Sequence, residues 1–216
     1  MKIQNANEAE EYVVKHLGIP FVNFKGINLD IVREIIVALE SVFNEFPALK
    51  NSICAIGKPI DIEYQMTLLY HSSKMHQEQF IEHGSIPFED IFDERVENIA
   101  KAYIYGDSTG AIIYTGIQLN GWQDKNITLE KFDNYYRRRN AEGYTPTNCN
   151  RSKNIIVHEI GHLMEWILKL RAKPKFKLLI ENVDIEREIS GCAAVSEDEI
   201  IPEAFARLLV HRWRTK

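Results

Sequence analysis

The chain has 216 residues, enough for one well-formed core, and its 45% hydrophobic and 26% charged content is ordinary for a globular protein. A formal net charge of −5 argues against general nucleic-acid binding, which needs basic surface to meet phosphates. No stretch approaches the ~18 consecutive apolar residues that span a bilayer, and the opening MKIQNANEAEEYVV lacks the apolar segment of a signal peptide. A cytoplasmic chain with no membrane or nucleic-acid partner is expected. The cysteines, Cys54, Cys149 and Cys192, are odd in number and show no CxxC spacing, which reads as reduced thiols in an intracellular protein.

Residues 7–17 and 29–46 read as helices, giving a helical N-terminal part over 1–50. In the second, Leu29, Val32, Ile36, Leu39 and Phe43 recur at helical spacing, and Pro47 closes it. SICAIG, 52–57, reads as a short strand. Over 62–83 the pattern is mixed: Tyr64, Met66, Leu68 and Tyr70 alternate as in a strand, and the following residues look helical. AKAYIY and AIIYTGIQLN flank a turn from Gly106 to Gly110 and read as a hairpin, with Asn120-Gly121 ending its second strand.

Residues 129–140 read as a helix carrying Arg137-Arg138-Arg139, a solvated basic face beside Tyr135 and Tyr136. The loop GYTPTNCN leads into a further helix, and 197–213 read as a C-terminal one. There Ser196 and Glu199 are spaced as a capping box, and Pro202, lacking an N–H, must kink or restart the helix. Helices mixed with antiparallel strands give an α+β fold in a single domain, 1–216.

Chemistry concentrates in NIIVHEIGHLMEW, Asn154 to Trp166. On a helix His158 and His162 lie ~40° apart and ~6 Å along the axis, so their imidazoles can fill two corners of one zinc tetrahedron. Glu159 stands beside them, able to reach a water without binding the metal, which is the logic of H-E-x-x-H. Ile156, Ile160, Leu163, Met164 and Ile167 form the opposite, core-facing side. Gly161 costs about 1 kcal/mol against alanine inside a helix; close approach of another backbone, or of the C-terminal helix, would explain it. The remaining histidines, His16, His71, His76, His83 and His211, lack such pairing and read as surface or core residues.

Catalytic zinc commonly keeps three protein ligands and one open position. The extended motif with a third histidine is excluded, because Glu165 and Leu168 stand where its glycine and histidine would fall. A carboxylate from a later helix remains, and the candidates are Glu181, Glu186, Glu188, Glu197, Glu199 and Glu203. Glu203 stands out because IPEAFARLLV surrounds it with small and apolar residues, and a buried carboxylate needs a partner. Its other reading is an ion pair with Arg207 at i+4.

HEIGH followed by ISGCAAVSEDEIIPEAFARLL resembles the zincin-like (gluzincin-type) metallopeptidases related to anthrax lethal factor, many of them encoded by phages and mobile elements. In that family an H-E-x-G-H helix is followed by an S-x-Y-A segment and an E-A-F-A helix. FPAL and the GYTP loop also look similar, and the likeness is concentrated over 143–210, the expected metal-site core. The resemblance implies a zincin-like fold, with the HExxH helix packed against a small mixed sheet and a C-terminal helix. It implies His158, His162 and Glu203 as Zn2+ ligands and Glu159 as the base. Cys192 stands in place of the family tyrosine, which is expected to donate to the developing oxyanion. A thiol is a weaker donor; Tyr144 could substitute, or Cys192 could itself ligate the metal and close the site.

The expected activity is therefore a zinc-dependent peptidase, a hydrolase acting on peptide or protein substrates through a Glu159-assisted water. An extended substrate is expected to add to a sheet edge, with Ile112, Ile113, Tyr114, Thr115 and Gly116 as the candidate edge and an internal hairpin strand as its other reading. The alternative function is a zinc-stabilised binding or assembly protein of a phage or mobile element, without turnover.

Overall fold

The computed structural model describes residues 3–58, 100–106, 112–119 and 127–214. The mixed pattern over 62–83, the 107–110 turn and the Asn120-Gly121 stop lie outside these residues. Helix α1, Ala6–Tyr12, is capped by the Asn5 side chain and runs on through a π-helical turn, Val13–Leu17. Strand β1 is Phe21–Val22, and α2 is Leu29–Glu45, capped by Asn28 and ended before Pro47. Strand β2, Ala55–Gly57, is followed by β3, Ala100–Gly106, and β4, Ile112–Leu119. The C-terminal half is helical: α3 Leu129–Ala141, α4 Lys153–Leu168, α5 Pro174–Ile180, α6 Ile185–Glu188, α7 Gly191–Val195 and α8 Glu197–Arg214. Among the described residues no helix is long and apolar enough to cross a membrane.

The sheet has the order β1-β2-β4-β3. β1, β2 and β4 run parallel, and β3 pairs antiparallel with β4 from Ala100↔Leu119 to Gly106↔Ile112, with an irregularity at Tyr105/Gly106. The α+β class expected from the sequence holds, as a mostly helical fold around a small mixed sheet. The expected edge does not. Ile112 to Gly116 belong to β4, an interior strand, because β2 docks on its other flank through Ala55↔Gly116, Ile56↔Ile117 and Gly57↔Gln118. Cys54 N–H extends this pairing to Thr115 C=O at 2.9 Å. Among the described residues the outer strands of the sheet are β1 and, on the opposite flank of β4, β3.

The core joins the inner face of α2 (Ile31, Val32, Ile35, Ile36, Leu39, Val42) to Ile56, Ala102, Ile117 and Leu119 of the sheet. Ile156, Val157, Ile160 and Leu163 of α4 complete it, and Met164 and Ile167 are packed against it, partly buried. Each fully buried aliphatic side chain contributes about 1.5–3 kcal/mol, so α4 is held rigidly from behind. Its other face looks toward α8.

Candidate metal centre

The start of α4 is fixed by Asp133 of α3. Its buried carboxylate accepts from Ser152 N–H at 2.8 Å and from Ser152 Oγ at 2.7 Å, and pairs with Arg151 at 3.2 Å. This satisfies a backbone donor that the first helical turn cannot. Two turns later His158 and His162 project together, their Nε2 atoms 3.2 Å apart. Trp166 stacks on His162 with ring centres 5.7 Å apart.

The third donor is Glu199 of α8. Its Oε2 lies 3.1 Å from His158 Nε2 and 3.7 Å from His162 Nε2. Three donors held ~2.0–2.1 Å from one tetrahedral ion are separated by about 3.3–3.4 Å, so His158, His162 and Glu199 are spaced as one face of such a tetrahedron. The three are close enough to hold a metal ion. Glu199 is thus the partner to the histidine pair, and the sequence expectation of Glu203 is corrected. Expected as a cap at the start of α8, Glu199 instead turns inward; Ser196 Oγ accepts from Asp198 N–H at 3.2 Å and caps the helix without it.

Glu203, one turn further along α8, meets the other side of the same ring. Its Oε1 lies 2.7 Å from His158 Nδ1, and its Oε2 accepts from Ser190 Oγ at 2.8 Å. Ser190 Oγ in turn accepts from Ala193 N–H at 3.1 Å, capping α7. The chain Ser190–Glu203–His158 keeps a proton on Nδ1 and turns Nε2 toward His162 and Glu199. Glu203 orients His158 and lies outside the group of three donors.

Electrostatics distinguish the two histidines. Burial would lower His158, but its hydrogen bonds with Glu199 and Glu203 prevail and take it up to about 10. Burial and the charge on His158 push His162 down to about 4, leaving it neutral. Glu159 is buried beside them, and its Oε2 accepts from Ala102 N–H of β3 at 2.7 Å. Burial lifts its carboxyl to about 7 against the opposing pull of His158 and the Ala102 N–H. A carboxyl near neutrality is matched to proton transfer.

Cys192 also reaches the site, and the backbone of Tyr144 is bonded to it. Gly191 N–H donates to Gly143 C=O and Cys192 N–H to Tyr144 C=O, both at 2.9 Å, which fastens the loop before α4 to α7. Cys192 Sγ lies 4.0 Å from Glu199 Oε2, outside the group of three donors. Burial and the charges of Glu203 and Glu199 push the thiol up to about 12, so it stays protonated. Arg139 covers the Tyr144 ring with its guanidinium carbon 3.4 Å from the ring centre, whereas Arg137 and Arg138 face solvent as expected.

Two helix contacts set the distance across the site. A Cβ added at Gly161 would come within 2.6 Å of Pro202 Cα, so the expected close approach is that of the C-terminal helix. Beyond the end of α4, Arg171 pairs with the buried Glu165 and with Asp198, the residue before Glu199. The sequence carries no periodic signal for Arg171, which lies past a left-handed Lys169 at the helix end. Among known proteins no family model, no curated protein and no solved structure matches the chain.

Proposed function

We propose that this protein is a zinc-dependent peptidase whose metal is held by His158, His162 and Glu199. The observation that carries the reading is the convergence of those three donors beside the buried carboxylate of Glu159. Two imidazole nitrogens and one carboxylate oxygen suit Zn2+, which in catalytic sites commonly keeps a fourth position for substrate or water. Bound there, the ion would supply Lewis acidity, polarising a carbonyl and making water more acidic. Glu159 takes the proton of the attacking water, whose oxygen bonds to the amide carbon. When the C–N bond breaks, Glu159 returns that proton to the leaving amine. Glu203 and Ser190 keep the His158 lone pair aimed at the site throughout. Because β3 is an outer strand among the described residues and its Ala102 N–H touches Glu159, an extended substrate would lie along β3 in place of β4.

The deciding measurement joins metal content to hydrolysis. Full-length protein should bind one zinc per chain and cleave members of a peptide library, and Glu159→Gln should abolish cleavage while keeping the metal. Zinc retained with no cleavage by the wild type, and no effect of Glu159→Gln, would support the binding or assembly protein instead. No zinc bound at all would remove both.

A further inference from the structure

We infer that two copies of this chain associate as a two-fold dimer through the face made by α5 and the groove beside it. Among the large hydrophobic side chains of the described residues, Val195, Leu178 and Leu179 are the most exposed, at 75%, 64% and 62%. Two of the three belong to one short helix. On α5, Phe176 and Ile180 stand four apart and are partly buried, which turns Leu178 and Leu179 outward together with Lys175. Ile180 and Val195 line one groove, about 620 Å³ in volume, between the end of α5 and the junction of α7 with α8, and the buried Ile200 lines it too. Apolar side chains gathered in one place on a surface mark an interaction site.

Charge identifies the partner, because it is divided across this face. Lys173, Lys175 and Lys177 are exposed on the α5 side, and Glu181, Glu186 and Glu197 are exposed along the groove. None of these six forms an ion pair among the described residues. Arg187, the cation nearest in sequence to the groove acids, pairs with Glu188, and its N–H donates to Asp184, the remaining acid of the groove. An anionic lipid surface would repel the acids while it attracted the lysines. A uniformly basic or uniformly acidic peptide would likewise be repelled by one half. The surface that fits carries both signs on either side of an apolar centre, and this chain presents such a surface itself. A two-fold axis beside Leu178 and Leu179 sets the lysines of each copy against the groove acids of the other, with the leucines meeting between them.

The test is analytical ultracentrifugation of the full chain at rising concentration and salt, with circular dichroism as the check that each variant keeps the fold. The wild type should show a reversible monomer–dimer equilibrium that weakens as salt screens the charges. Leu179→Glu should weaken association about 30-fold or more, as expected for a residue at the centre of an interface. Changing Lys173, Lys175 and Lys177 to Glu makes both halves of the face acidic, and changing Glu181, Glu186 and Glu197 to Lys makes both halves basic. Each of these variants alone should be monomeric, and an equimolar mixture of the two should form the mixed dimer. One measurement needs no substitution. In a mixture of isotope-labelled and unlabelled wild type, a carbodiimide should join lysines of 173–177 in one chain to carboxylates of 181–197 in the other, forming an amide with loss of water. A chain still monomeric at about 1 mM, a dimer indifferent to Leu179→Glu, or cross-links between chains confined to other faces overturns the proposal. So does a mixture of the two charge variants, both folded, that stays monomeric.

Discussion

Glu199 and Glu203 stand one helical turn apart on α8, and what separates their roles is the nitrogen of His158 that each one meets. Glu199 faces Nε2 and the proposed metal position, so Glu199→Ala should nearly abolish zinc binding in a chelator competition. Glu203 faces Nδ1, and its loss should weaken affinity by about 10–100-fold, the usual effect of removing a partner that orients a ligand. Equal losses, or the reverse order, would return Glu203 to the role of ligand. The sequence could rank these acids only by their neighbours. It favoured Glu203 because Ala204, Phe205 and Ala206 signal burial, and burial is what the structure gives it. Glu199 carried a competing local explanation as the fourth residue of a capping box, and tertiary contact with the histidines overrode it. The pH behaviour follows from His158. Without metal its folded pKa, about 10, lies above the ordinary 6.5. It therefore contributes stability that is complete below about pH 6.5 and lost as pH rises through about 10. Because a ligand must be neutral, zinc should displace that proton, and affinity should rise about tenfold per pH unit over the same range. Calorimetry in buffers of different ionisation enthalpy should record close to one proton released near pH 7.5. No release would mean that His158 is already neutral.

The helices α4 and α8 make the site by crossing where neither has bulk to spare. Gly161 faces the backbone of Pro202, and the missing proline N–H leaves α8 a surface with no donor at that point. Gly161→Ala removes a helix-breaking residue, which taken alone would stabilise α4 by about 1 kcal/mol. The Cβ contact with Pro202 should reverse that sign, because overpacking costs about 1–3 kcal/mol. The variant should unfold more easily and bind zinc more weakly, since Glu199 is moved along with Pro202. A more stable variant with unchanged affinity would show that the crossing does not set the metal geometry. Arg171 acts at the far end of the same interface through Glu165 and Asp198. Arg171→Ala should weaken zinc binding more than Arg171→Lys, which keeps the charge and loses the planar fork. At this scale the sequence was informative about α2, α3, α4 and α8, because amphipathic spacing, caps and prolines are local. It was silent about Arg171, because an ion pair between chain segments leaves no period.

Seen across the whole molecule, local pairing was legible and the global sheet order was not. The β3–β4 hairpin could be read from alternation and its glycine-bounded turn. The parallel docking of the three-residue β2 could not, and that strand makes β4 interior and leaves β3 beside Glu159. The candidate metal site has the same non-local character, for it joins α4, anchored in the core, to α7 and α8, which lean on it. This arrangement predicts how the metal should act on stability. An ion that binds the folded chain and not the unfolded one stabilises it by RT ln(1 + [L]/Kd), about 2.7 kcal/mol when the ion is present at a hundredfold over Kd. For a domain of this size that corresponds to a rise in Tm of roughly 5–10 °C, which a chelator should reverse. The shift should be larger at pH 8 than at pH 6, because the His158 proton competes with the ion at the lower value. His162→Ala should abolish the shift, and Glu159→Gln should retain it, since Glu159 is not a ligand. Hydrogen exchange should place the change in α7 and α8, with α2 protected whether or not metal is present. A chelator that left Tm and exchange unaltered, in protein shown to carry zinc beforehand, would mean that the ion sits elsewhere.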